Sequence, residues 1–271
     1  MNIKKIFLSV LFTISLSFGA DKTIIIGATP TPYAEILNFS KPLFQEKGWK
    51  LIVKEFNDYN IPNIALNEKD LDANLYQHKP FLDDFNTHKG TNLSSLGAIV
   101  LVPMAIYSNS IKDIKDIPNG AKIAIPNDAT NESRALDLLA KANLIEFKSQ
   151  STLKTPIDIS KNPKNLKFIE LKAAQLPRAL NDTDLAVITT NYALGAGLNP
   201  LKDGIFMEDK DSLYAIVLAT RKGEETNQKS LAIKEILTSD KIKNFIIENT
   251  KALLFLLFNS IQSLLKALLN L

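Results

Sequence analysis

Two stretches of this chain hold side chains that, brought together, could grip a small zwitterion. DANLYQHKPFL at residues 72–82 carries Tyr76 and His78, a break at Pro80 and then Phe81, and Tyr59 stands upstream in EFNDYNIPN. PNDATNESRAL at residues 126–136 carries Asn131 and Arg134. A guanidinium in the first turn or so of a helix would add a bidentate clamp to the unpaired N–H groups and positive dipole end already suited to a carboxylate. Ring faces suit an unbranched apolar chain or a thioether, since sulfur near aromatic rings is favourable by ~0.3–1.5 kcal/mol. Asn191 and Tyr192 directly follow the apolar run LAVITT, and an amide at a strand's carboxyl end can accept from an ammonium and donate to a carboxylate.

Each of these residues also has a plainer reading. Asn131 could simply cap its helix while Arg134 pairs with Glu132 or Asp137 on the surface. The aromatics could be core or loop anchors, His78 a hydrogen-bonded structural histidine, and Asn191 a turn residue with a locally satisfied side chain.

The surrounding pattern supplies a scaffold. Residues 23–27 (TIIIG) form a β-branched run without alternation, as in a strand buried on both faces of a parallel sheet. Residues 32–47 place Ile36, Leu37, Leu43 and Phe44 at helical spacing and stop at Gly48, and residues 51–56 form a second strand. This βαβ opening predicts an α/β sheet with right-handed crossovers. Strands at 121–125, 166–171 and 185–189, with helices after 130 and around 175–180, repeat the pattern. The apolar stretch 96–107, interrupted by Pro103, and the stretch 204–218 read as crossovers between two lobes. One amphipathic helix is expected over residues 231–249, with Ile242, Phe245 and Ile246 on one stripe.

The expected architecture is therefore α/β and two-lobed. Residues 22–104 plus 206–251 make one lobe, residues 105–205 make the other, and the ligand cleft lies between them near strand carboxyl ends. Basic and acidic residues number 32 and 29 and are interspersed, so nothing points to nucleic acid. No Walker A loop or Gly-x-Ser-x-Gly elbow occurs, and Gly195 to Gly197 lack the context of a dinucleotide site. The histidines, His78 and His88, have no metal-site spacing. Neither catalysis nor a cofactor is expected.

Residues 1–20 have the layout of a secretory signal: Lys4 and Lys5, an apolar run over 6–16, and small residues ending at Ala20. Export with a mature start near Asp21 follows. With no cysteine, disulfides and lipidation of an N-terminal cysteine are both excluded, and the expected location is the periplasm, in soluble form.

Several ordered strings resemble the methionine-binding NlpA/MetQ family of substrate-binding proteins: GATPTPYAEIL, EFNDYNIPN, DANLYQHKPFL, PNDATNESRAL, ITTNYALGAGLNP and DGIFMEDKDSLY. The resemblance runs from about residue 22 to 251. It implies a type II-like periplasmic binding protein that closes two lobes over methionine or a related ligand, delivering it to an ABC permease and its ATPase. It further implies that the thioether lies between Tyr76 and Phe81, with Tyr59 and His78 on the same wall. Arg134 would take the α-carboxylate, with Asn131 nearby, and Asn191 the polar end of the amino acid.

This chain departs from the family pattern twice. Where family members typically read SPYxN, it has SLYAI, so Ile216 replaces a ligand-holding asparagine and Leu213 a proline. Losing one buried polar contact costs on the order of 1–3 kcal/mol. That leaves room for weakened methionine binding, for another ligand such as a methionine dipeptide or a different apolar amino acid, or for an exported non-transporting scaffold of the same fold. The second departure is the leucine-rich ending, residues 252–271, where the family usually ends in a string like KGAVIPAF. Removing one nucleotide from codons for KGAVIPAF can give KALLFLLF, so this ending reads as an out-of-frame product, with an amphipathic docking helix as the rival.

Overall fold

The computed structural model describes residues 22–148, 152–209 and 212–250. The expected leader and the leucine-rich ending lie outside the described residues. The chain opens with β1 (Thr23–Ala28), α1 (Glu35–Glu46), β2 (Lys50–Glu55), α2 (Ile61–Asn67), β3 (Ala73–His78), α3 (Lys79–Lys89) and β4 (Leu93–Val100). Then come β5 (Met104–Tyr107), β6 (Lys122–Pro126), α4 (Ala129–Lys141), β7 (Glu146–Phe147), β8 (Ile159–Lys161), β9 (Lys167–Leu171), α5 (Leu176–Ala179) and β10 (Leu185–Thr189). The chain continues through α6 (Thr190–Gly195), α7 (Pro200–Asp203), β11 (Gly204–Met207), β12 (Ile216–Arg221), α8 (Gln228–Leu237) and α9 (Asp240–Thr250).

The main strands form two sheets. One has the order β2-β1-β3-β12-β4 and the other β11-β5-β10-β6-β9. β1 is parallel to β2 and β3, while β12 runs antiparallel between β3 and β4. β6 is parallel to β9 and β10, and β5 runs antiparallel between β10 and the edge strand β11. Strands such as Ala73–His78 and Leu185–Thr189 are buried throughout, which explains why their sequences lack the alternation of a half-exposed strand. The chain passes from the first sheet to the second after Val100 and returns before Ile216.

Three details differ from the sequence reading. Met104, Phe206 and Met207, assigned there to the first lobe, pair in the second sheet. Pro103 lies in the gap between β4, which ends at Val100, and β5, which begins at Met104. The single helix expected over 231–249 is two, because the chain turns at Thr238 and Ser239. Thr238 Oγ1 donates to the Lys234 carbonyl, and the Ser239 carbonyl accepts the Lys243 N–H to start a new helix with Asp240 in its first turn. Pro80 does not break the structure; it lies in the first turn of α3, where its missing N–H costs nothing.

The first sheet packs Ile24, Ile26, Leu75 and Leu218 against Leu37 and Phe44 of α1 and Ile233 and Ile242 of α8 and α9. The second sheet buries Ile106, Ile123 and Val187 against Leu136 and Leu139 of α4 on one face, and Ala124 and Ile188 against Leu176 on the other. Tyr59 packs against both the first core and the second. Beneath β3, Asn63, Asn74 and Gln77 make a buried amide network: Asn63 Nδ2 donates to Gln77 Oε1 at 2.7 Å, and Gln77 Nε2 donates to Asn63 Oδ1 at 2.7 Å and to Asn74 Oδ1 at 2.9 Å. Such a closed network fixes α2 against β3 and thereby the strand end that carries Tyr76 and His78.

Candidate functional site

Tyr59, Tyr76, His78 and Phe81 from the first sheet's side and Asn131, Arg134 and Asn191 from the second line one small cavity. Tyr33, Gln77, Val102, Thr189 and Ile216 complete its wall. The position matches the sequence expectation: carboxyl ends of strands, between the two sheets.

His78 is the hinge of the local chemistry. It caps α3, its Nδ1 accepting the Phe81 N–H at 3.1 Å, and its Nε2 lies 3.1 Å from Asn131 Oδ1. Because Nδ1 accepts, the ring proton is on Nε2 and is donated to Asn131. Asn131 Nδ2 in turn donates to Asp128 Oδ1 at 2.9 Å. Asp128, not Asn131, is the cap of α4, accepting the Asn131 N–H at 3.0 Å. Asn131 is thereby free to reach across to the first sheet.

Burial, reinforced by the positive charge of Arg134, pushes the His78 pKa down from 6.5 to about 3. Between those two values the unfolded chain takes up a proton that the folded imidazole refuses, so this group's contribution is fully present above pH 6.5 and is lost toward pH 3. His78→Asn keeps a capping acceptor for Phe81 and removes the titration. Its stability relative to the unsubstituted protein should improve as pH falls through that window, by up to about 1.4 kcal/mol per pH unit in urea melts. Glu132, pushed up to about 7 by burial and by Glu170 and Asp128, tilts stability the other way in both proteins and cancels in the comparison.

The rings form a continuous wall, not a slot. Tyr76 and Phe81 meet edge to face with centroids 6.2 Å apart, and Tyr59 lies 5.9 Å from each. Two rings in contact leave no gap for a chain between them, so an apolar group would lie against their combined surface. Tyr59 also crosses the cleft. Its hydroxyl donates to Asn191 Oδ1 at 2.6 Å and lies 2.9 Å from Thr189 Oγ1. Tyr192 adds a bond from its hydroxyl to the Asn57 carbonyl at 3.2 Å.

Arg134 differs most from expectation. It lies in the second turn of α4 rather than the first, and it is 2% exposed rather than on the surface. The two-pronged face of its fork is already engaged: Nε donates to Glu208 Oε1 at 2.8 Å and Nη2 to Glu208 Oε2 at 2.6 Å, while Nη2 also donates to the Val102 carbonyl at 3.0 Å. Nη1 bonds to none of the described residues and is the edge left for a ligand. The Tyr214 ring covers one face of the guanidinium, 4.5 Å from Cζ. Burial alone would weaken the charge, but the adjacent Glu208 carboxylate raises the arginine pKa.

Glu208 is the important residue that the sequence reading missed. It is 5% exposed and sits just past β11, and its Oε2 also accepts the Met104 N–H at 2.8 Å and faces Ser212 Oγ at 3.3 Å. Through it, Arg134 is tied to both segments that connect the sheets. A signal did exist: a buried guanidinium needs a carboxylate, and DGIFMEDKDSLY supplied candidates.

A family model described as NlpA lipoprotein matches residues 24–255. The chain belongs to the NlpA lipoprotein family. Among its relatives, the D-methionine-binding lipoprotein MetQ of Salmonella typhi is 42% identical over 223 residues, covering 81% of each chain. The methionine-binding lipoprotein MetQ of Bacillus subtilis is 40% identical over 253 residues, covering 89% of this chain and 91% of the relative. A nutrient binding protein from Burkholderia cenocepacia, solved bound to methionine, superposes with a TM-score of 0.84 at 40% identity, covering 86% of this chain and 99% of its own. The two-lobed α/β fold is thus shared with that solved structure.

In this NlpA family member Ile216, expected from the sequence to stand in place of an asparagine, lines the cavity. Ile216 begins β12 opposite His78 and is 3% exposed, so a hydrocarbon side chain forms that part of the wall.

Proposed function

We propose that this chain is the substrate-binding protein of an ABC importer and that it captures methionine or a closely related amino acid. The reading rests on one observation: a buried arginine whose Nη1 bonds to none of the described residues and a three-ring aromatic wall line the same cavity between two sheets. Nη1 is placed for a carboxylate, the rings for the thioether chain, and Asn191 for the polar end. Residues from both lobes line the cavity, so an occupant contacts both, and such differential contact is what shifts an open–closed equilibrium. The closed form would then be presented to a membrane permease driven by its ATPase. Work in the periplasm fits this role, and the 271 residues contain no cysteine to carry a thioether-linked lipid.

The function is binding rather than turnover. His78, the residue most suited to proton transfer, is held neutral by burial and spends both ring nitrogens on structure. Calorimetry on protein unfolded and refolded to clear retained ligand tests the proposal with L- and D-methionine. Saturable binding of either that is lost in Arg134→Ala supports it. Failure to bind either, with no amino acid retained in native mass spectrometry before refolding, overturns it in favour of a non-transporting scaffold.

A further inference from the structure

Tyr33 is a polar side chain at this cavity that the sequence motifs did not single out. It lies in the turn between β1 and α1, is 1% exposed, and lines the cavity. Its hydroxyl bonds to none of the described residues, yet it is close enough to Tyr59 and Arg134 for both to influence its ionisation. The neighbouring phenols are committed to the protein. Tyr59 donates to Asn191, and Tyr76 donates to the Tyr59 carbonyl at 2.8 Å. Burial also keeps the Tyr33 proton in place, raising its pKa well above the usual phenol value.

A polar group at a cavity wall takes its partner from whatever fills the cavity, water or a bound solute. The Tyr33 hydroxyl is therefore available to an occupant of this cavity. The proximity of Arg134 decides which end of that occupant: a positive neighbour repels an ammonium and favours an anion. Since Glu208 takes the forked edge of the guanidinium, only Nη1 remains for a carboxylate, and one nitrogen does not fix a carboxylate plane as a fork does.

Building on the amino-acid reading of the cavity, we infer that Tyr33 is a ligand-binding residue. Its hydroxyl donates to one carboxylate oxygen while Arg134 Nη1 donates to the other. The two donors, one from the turn after β1 and one from α4, together replace the fork that Glu208 has taken. Tyr33 is therefore a determinant of carboxylate recognition and not part of the aromatic wall.

Tyr33→Phe tests this by deleting one oxygen and little else. The probes are L-methionine and L-methioninol, which lacks the carboxylate, titrated calorimetrically into refolded protein. Methionine affinity should fall about tenfold and methioninol affinity by less than about twofold, while the melting temperature of the ligand-free variant does not drop. Equal losses for both ligands, or unchanged methionine affinity, overturn the assignment. If the unsubstituted protein binds neither probe, the amino-acid reading itself falls, an outcome distinct from failure of the Tyr33 role alone. A crystal structure of the unsubstituted protein with methionine gives a check that does not depend on the variant folding: the Tyr33 hydroxyl within hydrogen-bonding distance of the carboxylate supports the inference, and a hydroxyl turned away refutes it.

Discussion

Arg134→Met should lose methionine affinity on the order of a hundredfold or more, and should also lower folding stability by about 3–5 kcal/mol. The two losses have different causes. Affinity falls because Nη1 is gone. Stability falls because Glu208, 5% exposed and facing the guanidinium at 2.6–2.8 Å, is left as a buried carboxylate without its counter-charge. Adding Glu208→Gln separates the effects. The amide still accepts the Met104 N–H and no longer carries a charge, so most of the stability returns while binding stays lost. Urea denaturation and calorimetry on the single and double variants check this. A double variant as unstable as Arg134→Met would mean that the pair contributes mainly packing.

Ile216→Asn is expected to produce opposite signs in the two measurements. Without ligand, the new amide is buried at a position 3% exposed, and melting should show a loss of about 1–3 kcal/mol. With methionine, the amide gains a polar partner, and affinity should rise about tenfold. A thermal-shift series over methionine concentration reads both at once, because stabilisation grows with ligand concentration over Kd. If Ile216→Asn weakens methionine binding, the hydrocarbon side chain is part of a site shaped for a different, more apolar ligand. That outcome would redirect the search to apolar amino acids and methionine dipeptides.

Much of the fold could be read from the chain because its strands are buried on both faces. Runs such as TIIIG and LAVIT admit few other structures, and the helix between the first two strands stops at Gly48 as its sequence suggests. The helix 231–249 misled because its apolar stripe continues through the Thr238–Ser239 turn. Periodicity records which face is buried, but it does not record that the chain has changed direction. The candidate cavity residues were legible where residue type and strand-end position coincided, as at His78 and Asn191. Glu208 was not, since it meets Arg134 across 74 residues of sequence, and pairing over that distance leaves no local trace. Tyr33 was hidden differently: within the apolar pattern that opens α1, a phenol counts as one more core ring.

The bonds that cross the cleft are mostly polar: His78 to Asn131, Tyr59 to Asn191 and Thr189, and Tyr192 to the Asn57 carbonyl. Each of these groups can exchange its partner for a water molecule at little net cost. Parting the lobes would therefore wet mainly groups that tolerate wetting, with Tyr59, which packs on both cores, the chief apolar contact to be given up. A seam of this kind leaves the shut and gaping forms close in free energy, so a solute of a few heavy atoms is enough to tip the balance.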